Sequence, residues 1–147
     1  MPPDEITAYL QEHIRLVRSL GAVVDRYDGA SIQLSAPLAP NLNHRATAFG
    51  GSLSAIAILA GWALLHLALR DRGIASRLVI QRSALDFLAP VDSDFTATAS
   101  LPAPQPWERF LATFARHGRA RITVAGTIAC PSGVGGEHEG TYVALRL

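Results

Sequence analysis

Residues 48–69 decide what this chain can become. They run AFGGSLSAIAILAGWALLHLAL without one formally charged side chain. A helix of about 22 such residues is long enough to cross a bilayer. Arg45 stands before the segment, and Arg70 and Arg72 follow it. Against a membrane span stand its many small residues, among them Ala55, Ala57, Ala60, Gly61 and Ala63, and the polar His66. The segments on either side read as amphipathic elements of a globular fold. A helix hydrophobic all round is then the buried centre of a soluble domain, and small residues let strands approach its axis. No membrane association is expected.

The rest of the composition agrees with one globular domain over residues 1–147. Hydrophobic residues make up 49% of the chain and charged residues 17%, enough apolar material for a core and too little charge for global disorder. A net charge of +1 excludes a nucleic-acid surface. The single cysteine, Cys130, excludes an internal disulfide framework and a thiolate metal site. The histidines show no metal-ligand spacing, so no metal is expected, and no dinucleotide or phosphate-loop fingerprint is present. Acidic residues near Met1 and the lack of an apolar core there exclude a secretory signal, which makes the cytoplasm the expected location.

Asp4 to Leu20 reads as an amphipathic helix, with Ile6, Tyr9, Leu10, Ile14, Val17 and Leu20 at three- and four-residue spacing. Residues 22–27 and 31–36 read as strands joined by Asp28-Gly29, a strong hairpin signal. The apolar helix follows. Extended segments are then expected at 77–88, 95–101, 110–116 and 119–129, with a Gly-rich loop over 131–140 and a last strand over 141–147. Pro102, Pro104 and Pro106 read as a break. This order predicts an α+β hotdog fold: a curved, mostly antiparallel meander wrapped around a long central helix. The exposed sheet edge favours pairing with a second copy, as a homodimer or homotetramer.

The chemistry concentrates where Asn43-His44-Arg45-Ala46-Thr47-Ala48-Phe49 runs into Gly50-Gly51-Ser52. A helix start leaves backbone N–H groups unpaired and carries the positive end of the macrodipole. Such a site suits a carbonyl oxygen that becomes negative during acyl chemistry. Gly51, joined by Ser52, is the expected donor; Gly50 and Phe49 lie beside it on the substrate side. Asn43 and His44 are candidates for orienting water or a thioester, and histidine can act as a base near neutral pH. Ser54, one turn after Gly50, could bind a water. Arg82 and Ser83, on a later strand, are further substrate-binding candidates; Arg77, Arg119 and Arg121 could meet phosphates. Each has a plainer reading: glycines for tight packing, Asn43 and His44 as loop residues, Ser54 as a packing serine, arginines as a solvated face. No Asp or Glu lies on the apolar helix. If Leu85 and Phe87 face it, alternation turns Asp86 to the opposite side.

The run Pro40-Asn41-Leu42-Asn43-His44, with Thr47, Phe49-Gly50-Gly51-Ser52-Leu53 and Gly61-Trp62, resembles the thioesterases of the YiiD C-terminal type, members of the hotdog superfamily. Gly118-Arg119-Ala120-Arg121 and Glu139-Gly140-Thr141-Tyr142 are also similar. The resemblance implies hydrolysis of an acyl thioester, carried by coenzyme A or acyl carrier protein, in a pocket between two subunits. No cofactor is implied beyond the coenzyme A thioester itself as substrate. Two alternatives stay open: a non-catalytic acyl-CoA-binding or dimerising module, and a dehydratase on the same fold.

Overall fold

The computed structural model describes residues 1–147. Helix α1 spans Pro3–His13 and a short α2 spans Leu16–Leu20. The single helix expected over 4–20 is therefore broken. Ile14 sits in an extended conformation between the two pieces, and the bend lets Ile6, Leu10, Val17 and Leu20 all reach the core. Gly21, at φ +70°, ends α2.

Strands β1 (Val23–Tyr27) and β2 (Ser31–Ala36) form the expected hairpin. Asp28 Oδ1 accepts the N–H groups of Ala30 and Ser31 at 2.9 and 2.7 Å and closes the turn. A 3-10 turn over Ala39–Asn41 leads to the long helix α3, Gly50–Asp71. It is long and apolar enough to span a membrane, yet 67% of its most apolar window is buried inside the protein. The sheet wraps it, so its hydrophobic faces meet protein. Tyr142 donates its hydroxyl proton to the Ile58 carbonyl at 2.8 Å, and a Cβ at Gly61 would overlap that hydroxyl. The small residue is what lets the sheet close on the helix.

After α3 come β3 (Ser76–Phe87), β4 (Phe95–Ser100), α4 (Pro104–His117), β5 (Arg119–Cys130) and β6 (Gly133–Arg146). The six strands form one antiparallel sheet in the order β1-β2-β4-β5-β6-β3. The hotdog arrangement is as expected, but the sheet is not a simple meander: β3 crosses to the far edge and pairs with β6.

Two local expectations are corrected. Residues 110–116 are helical, because α4 begins at Pro104. Proline is well placed in a first turn, where its missing N–H has no partner to lose. Trp107, Phe110 and Phe114 then fall on one buried stripe. Residues 133–140 belong to β6 rather than to a loop. Two of their glycines are packing sites: a Cβ at Gly135 would strike Val91, and one at Gly140 would strike Tyr142 and His138.

Candidate functional site

The loop before α3 is built from the inside out. Asn41 is buried, and its Nδ2 donates to the carbonyls of Leu20 at 2.9 Å and Pro37 at 2.8 Å. Its own carbonyl accepts the Phe49 N–H at 2.7 Å, while Ala48 N–H donates to Val91 O. Asn43 spends both ends of its amide inside the loop. Oδ1 accepts the N–H groups of Arg45 and Thr47, and Nδ2 donates to Thr47 Oγ1 at 2.8 Å. This clamp holds Ala46 at φ +61°, the one non-glycine residue with positive φ. Asn43 thus fixes the loop, and His44 and Arg45 stand exposed at its tip.

At the helix start, Phe49 O accepts the N–H groups of both Ser52 at 2.9 Å and Leu53 at 3.2 Å. Ser52 N–H is therefore already used. The unbonded donors are those of Gly50 and Gly51, so the pair differs by one residue from the expected Gly51 and Ser52. A Cβ on Gly50 would lie 3.2 Å from the Phe87 ring, and one on Gly51 would run into the Phe49 ring. Both phenylalanines are more than half exposed, Phe49 at 58% and Phe87 at 57%. They flank the donors with exposed aromatic surface.

Two stripes leave this first turn along α3. One continues Gly51 through Ala55, Ile58 and Trp62. It forms a wall of an apolar groove of about 470 Å³, closed by Leu16, Val17 and Leu20 on one side and Leu78 and Ile80 on the other. All eleven lining residues are hydrophobic. Trp62 Nε1 donates to Leu78 O at 2.9 Å and pins the far end.

The other stripe runs from Gly50 through Ser54 toward Gly61 and faces the inner side of β3 and β6. There the pairing register places Ser83, Leu85 and Phe87 of β3 on the helix side, with His138 and Gly140 of β6. Asp86 points to the outer side, as alternation requires. Ser83 Oγ lies 2.8 Å from His138 Nε2. Ser83 is exposed on the edge strand, whereas His138 is only 5% exposed. Burial pushes the His138 imidazole below its ordinary pKa, with Glu139 opposing weakly. Ser54 is half-buried on the same stripe. Arg82 does not join this group: it pairs with Thr141 on the outer face, alongside exposed Arg77, Arg119 and Arg121.

His138 carries no mark in the sequence that would single it out. It sits among glycines and meets Ser83 across 55 residues of chain, so only the β3–β6 register reveals the pair.

A family model described as "Putative thioesterase (yiiD_Cterm)" matches residues 3–146 of this chain. The fold is also similar to crystal structures of three bacterial proteins. A protein of unknown function from Chlorobaculum tepidum is 28% identical, with a TM-score of 0.91 over 99% of this chain and 94% of that one. A protein from Shewanella oneidensis, described as a putative thioesterase, is 22% identical, with a TM-score of 0.82 over 97% and 96% of the two chains. A Pseudomonas aeruginosa protein of unknown function, described as a probable thioesterase, is 23% identical, with a TM-score of 0.82 over 98% and 96%.

Proposed function

Because the chain belongs to the family described as putative thioesterase (yiiD_Cterm), we propose that it hydrolyses the thioester of an acyl chain carried by coenzyme A or an acyl carrier protein. The observation that carries this reading is the pair of unbonded amides at Gly50 and Gly51, one helical turn before Ala55, the first α3 residue to line an apolar groove. The thioester carbonyl oxygen accepts from these donors and gains negative charge as water attacks. Donors fixed in advance need no reorganisation at that moment. The acyl chain follows the stripe from Gly51 to Trp62, about 16 Å along the helix. Asn43 acts by fixing the loop, and His44 at its tip orients the thioester. Phe49 packs against the chain beside the carbonyl.

A second copy completes the site along β3. That strand is twelve residues long, mostly exposed and unpaired on one side. Such an edge is a ready template for another strand. The groove and the helix start both lie beside it, which supports a substrate held against the seam between two protomers.

The alternative reading, an acyl-thioester binder without turnover, is favoured by one observation: Gly50 to Leu69 contains no carboxylate. Thiol release separates the two. The wild-type protein is expected to release free thiol from straight-chain acyl-CoAs. Gly51→Pro removes one donor from the first helical turn and Gly51→Ala keeps it, while both add a Cβ against Phe49. The proline variant is expected to lose about 10²–10³-fold in kcat, and the alanine variant far less. Equal losses in the two would remove the Gly51 amide from the reaction. Tight acyl-CoA binding without thiol release would support the binder.

A further inference from the structure

Water attack needs a proton acceptor, and the first four turns of α3 offer none. We propose that Ser83 and His138 supply it: Ser83 Oγ holds the attacking water, and His138 Nε2 receives the proton through that hydroxyl. The inference rests on the thioesterase reading.

Two contacts fix the level of the pair on the helix. Phe87, paired with Gly136, meets Gly50, and Tyr142 meets Ile58 and Gly61. From Gly136 to Tyr142 is about 20 Å along β6, and from Gly50 to Ile58 about 12 Å along α3. His138 and Gly140, with Ser83 opposite Gly140, lie between these anchors. Gly140 lies two-thirds of the way from Gly136 to Tyr142, so Ser83 stands about 8 Å, roughly one and a half helical turns, beyond Gly50 along the helix. That offset leaves room for one water between its hydroxyl and a carbonyl carbon held by the Gly50–Gly51 donors.

The arrangement suits the task in three further ways. The hydroxyl is exposed where a water can reach it, and the imidazole behind it is buried. A base within hydrogen-bond reach of the group it serves is the geometry of proton transfer. The ring also lies over Gly140, where a Cβ would come within 2.9 Å of Cε1, so a glycine is kept where the ring needs the space. The groups facing His138 are Ser83 from β3 and Tyr142 further along β6, while Gly126 of β5 brings no side chain. The facing stretch of α3 carries no charge. Asp86, Glu137 and Glu139 project from the outer side of the sheet. Nothing on the inner side stabilises an imidazolium, so the ring is neutral and free to accept at neutral pH.

In the step, the water oxygen bonds to the carbonyl carbon. Its proton passes to Ser83 Oγ as the serine proton passes to His138 Nε2. The carbon–sulfur bond then breaks, and the thiolate takes the proton back along the same path.

The test compares wild type, Ser83→Ala, Ser83→Thr and His138→Gln in thiol release from a straight-chain acyl-CoA between pH 5 and 9, with thermal unfolding alongside. Ser83→Ala and His138→Gln are expected to lose about 10²-fold or more in kcat with little change in KM. Ser83→Thr, which keeps a hydroxyl, recovers most of the rate. The wild-type rate falls on the acid side through an apparent pKa below that of free imidazole, and this limb disappears in His138→Gln. Wild-type turnover with Ser83→Ala within about threefold of it and an unchanged acid limb overturns the relay and leaves the hydrolase reading standing. No thiol release by wild type from any acyl-CoA overturns both.

Discussion

From Leu59 to Leu69, α3 is buried on almost every side; its first turn, by contrast, is open, with Gly51 exposed and Gly50, Ser52 and Ser54 half-buried. The far half has its backbone hydrogen bonds satisfied within the helix and its leucines in a shared cluster. The near half holds two amides with no acceptor, beside a serine–histidine pair. One rod therefore serves two ends. Its packed half holds the helix rigid, and its open half leaves the pair of donors within reach of solvent.

Variants that strike one half alone break or sharpen this contrast. Leu64 is fully buried, and Leu64→Ala is expected to cost about 2–5 kcal/mol of stability. Urea unfolding measures it, and kcat per folded molecule should hold; a kcat loss as large as that of Gly51→Pro would erase the distinction between the halves. Ala55→Leu, at the border, fills the groove. It is expected to lower kcat/KM for long acyl chains by about 10-fold or more relative to short ones, read from a chain-length series.

Acid should weaken the fold through the imidazoles it takes wholly or partly out of water. His138 and His66 both have pKa values lowered by burial. The unfolded chain therefore binds more protons below about pH 6.5, and stability falls as pH drops through that point toward the folded pKa values, by at most about 1.4 kcal/mol per pH unit for each group. Denaturation midpoints at pH 7 and 5.5 measure this, and His138→Gln should flatten the slope. Tyr142→Phe removes the bond to Ile58 O, for an expected loss of about 1 kcal/mol; a change in kcat as well would mean that the clamp reaches the first turn.

How much of this was legible in the sequence follows from the range of each signal. The apolar run, the Asp28-Gly29 hairpin and the Gly50-Gly51 helix start are local patterns, and they stand where expected. The helix α4 was hidden because Pro104 and Pro106 are helix breakers everywhere except in a first turn. The first half of β6 was hidden because Gly133, Gly135 and Gly136 read as loop, although at Gly135 Val91 leaves no space for a Cβ and at Gly136 the fit would be tight. Asn43, His44 and Ser52 belong to the loop and helix start that the local pattern marks, but which amides remain free depends on how Phe49 O is shared between Ser52 and Leu53. Ser83 was singled out without its partner. The pairing with His138 depends on strand register, and a bulge between Ile80 and Arg82 resets that register just before Ser83.

The side chain of Asn41 grips the last residue of α2, and its carbonyl grips the residue that opens α3. A branched acyl group broad enough to push α2 outward would drag on Phe49, the neighbour of the two amides proposed to align the reacting carbonyl. Width at the tail would then be felt at the head, and bulky substrates would be held normally but turned over slowly.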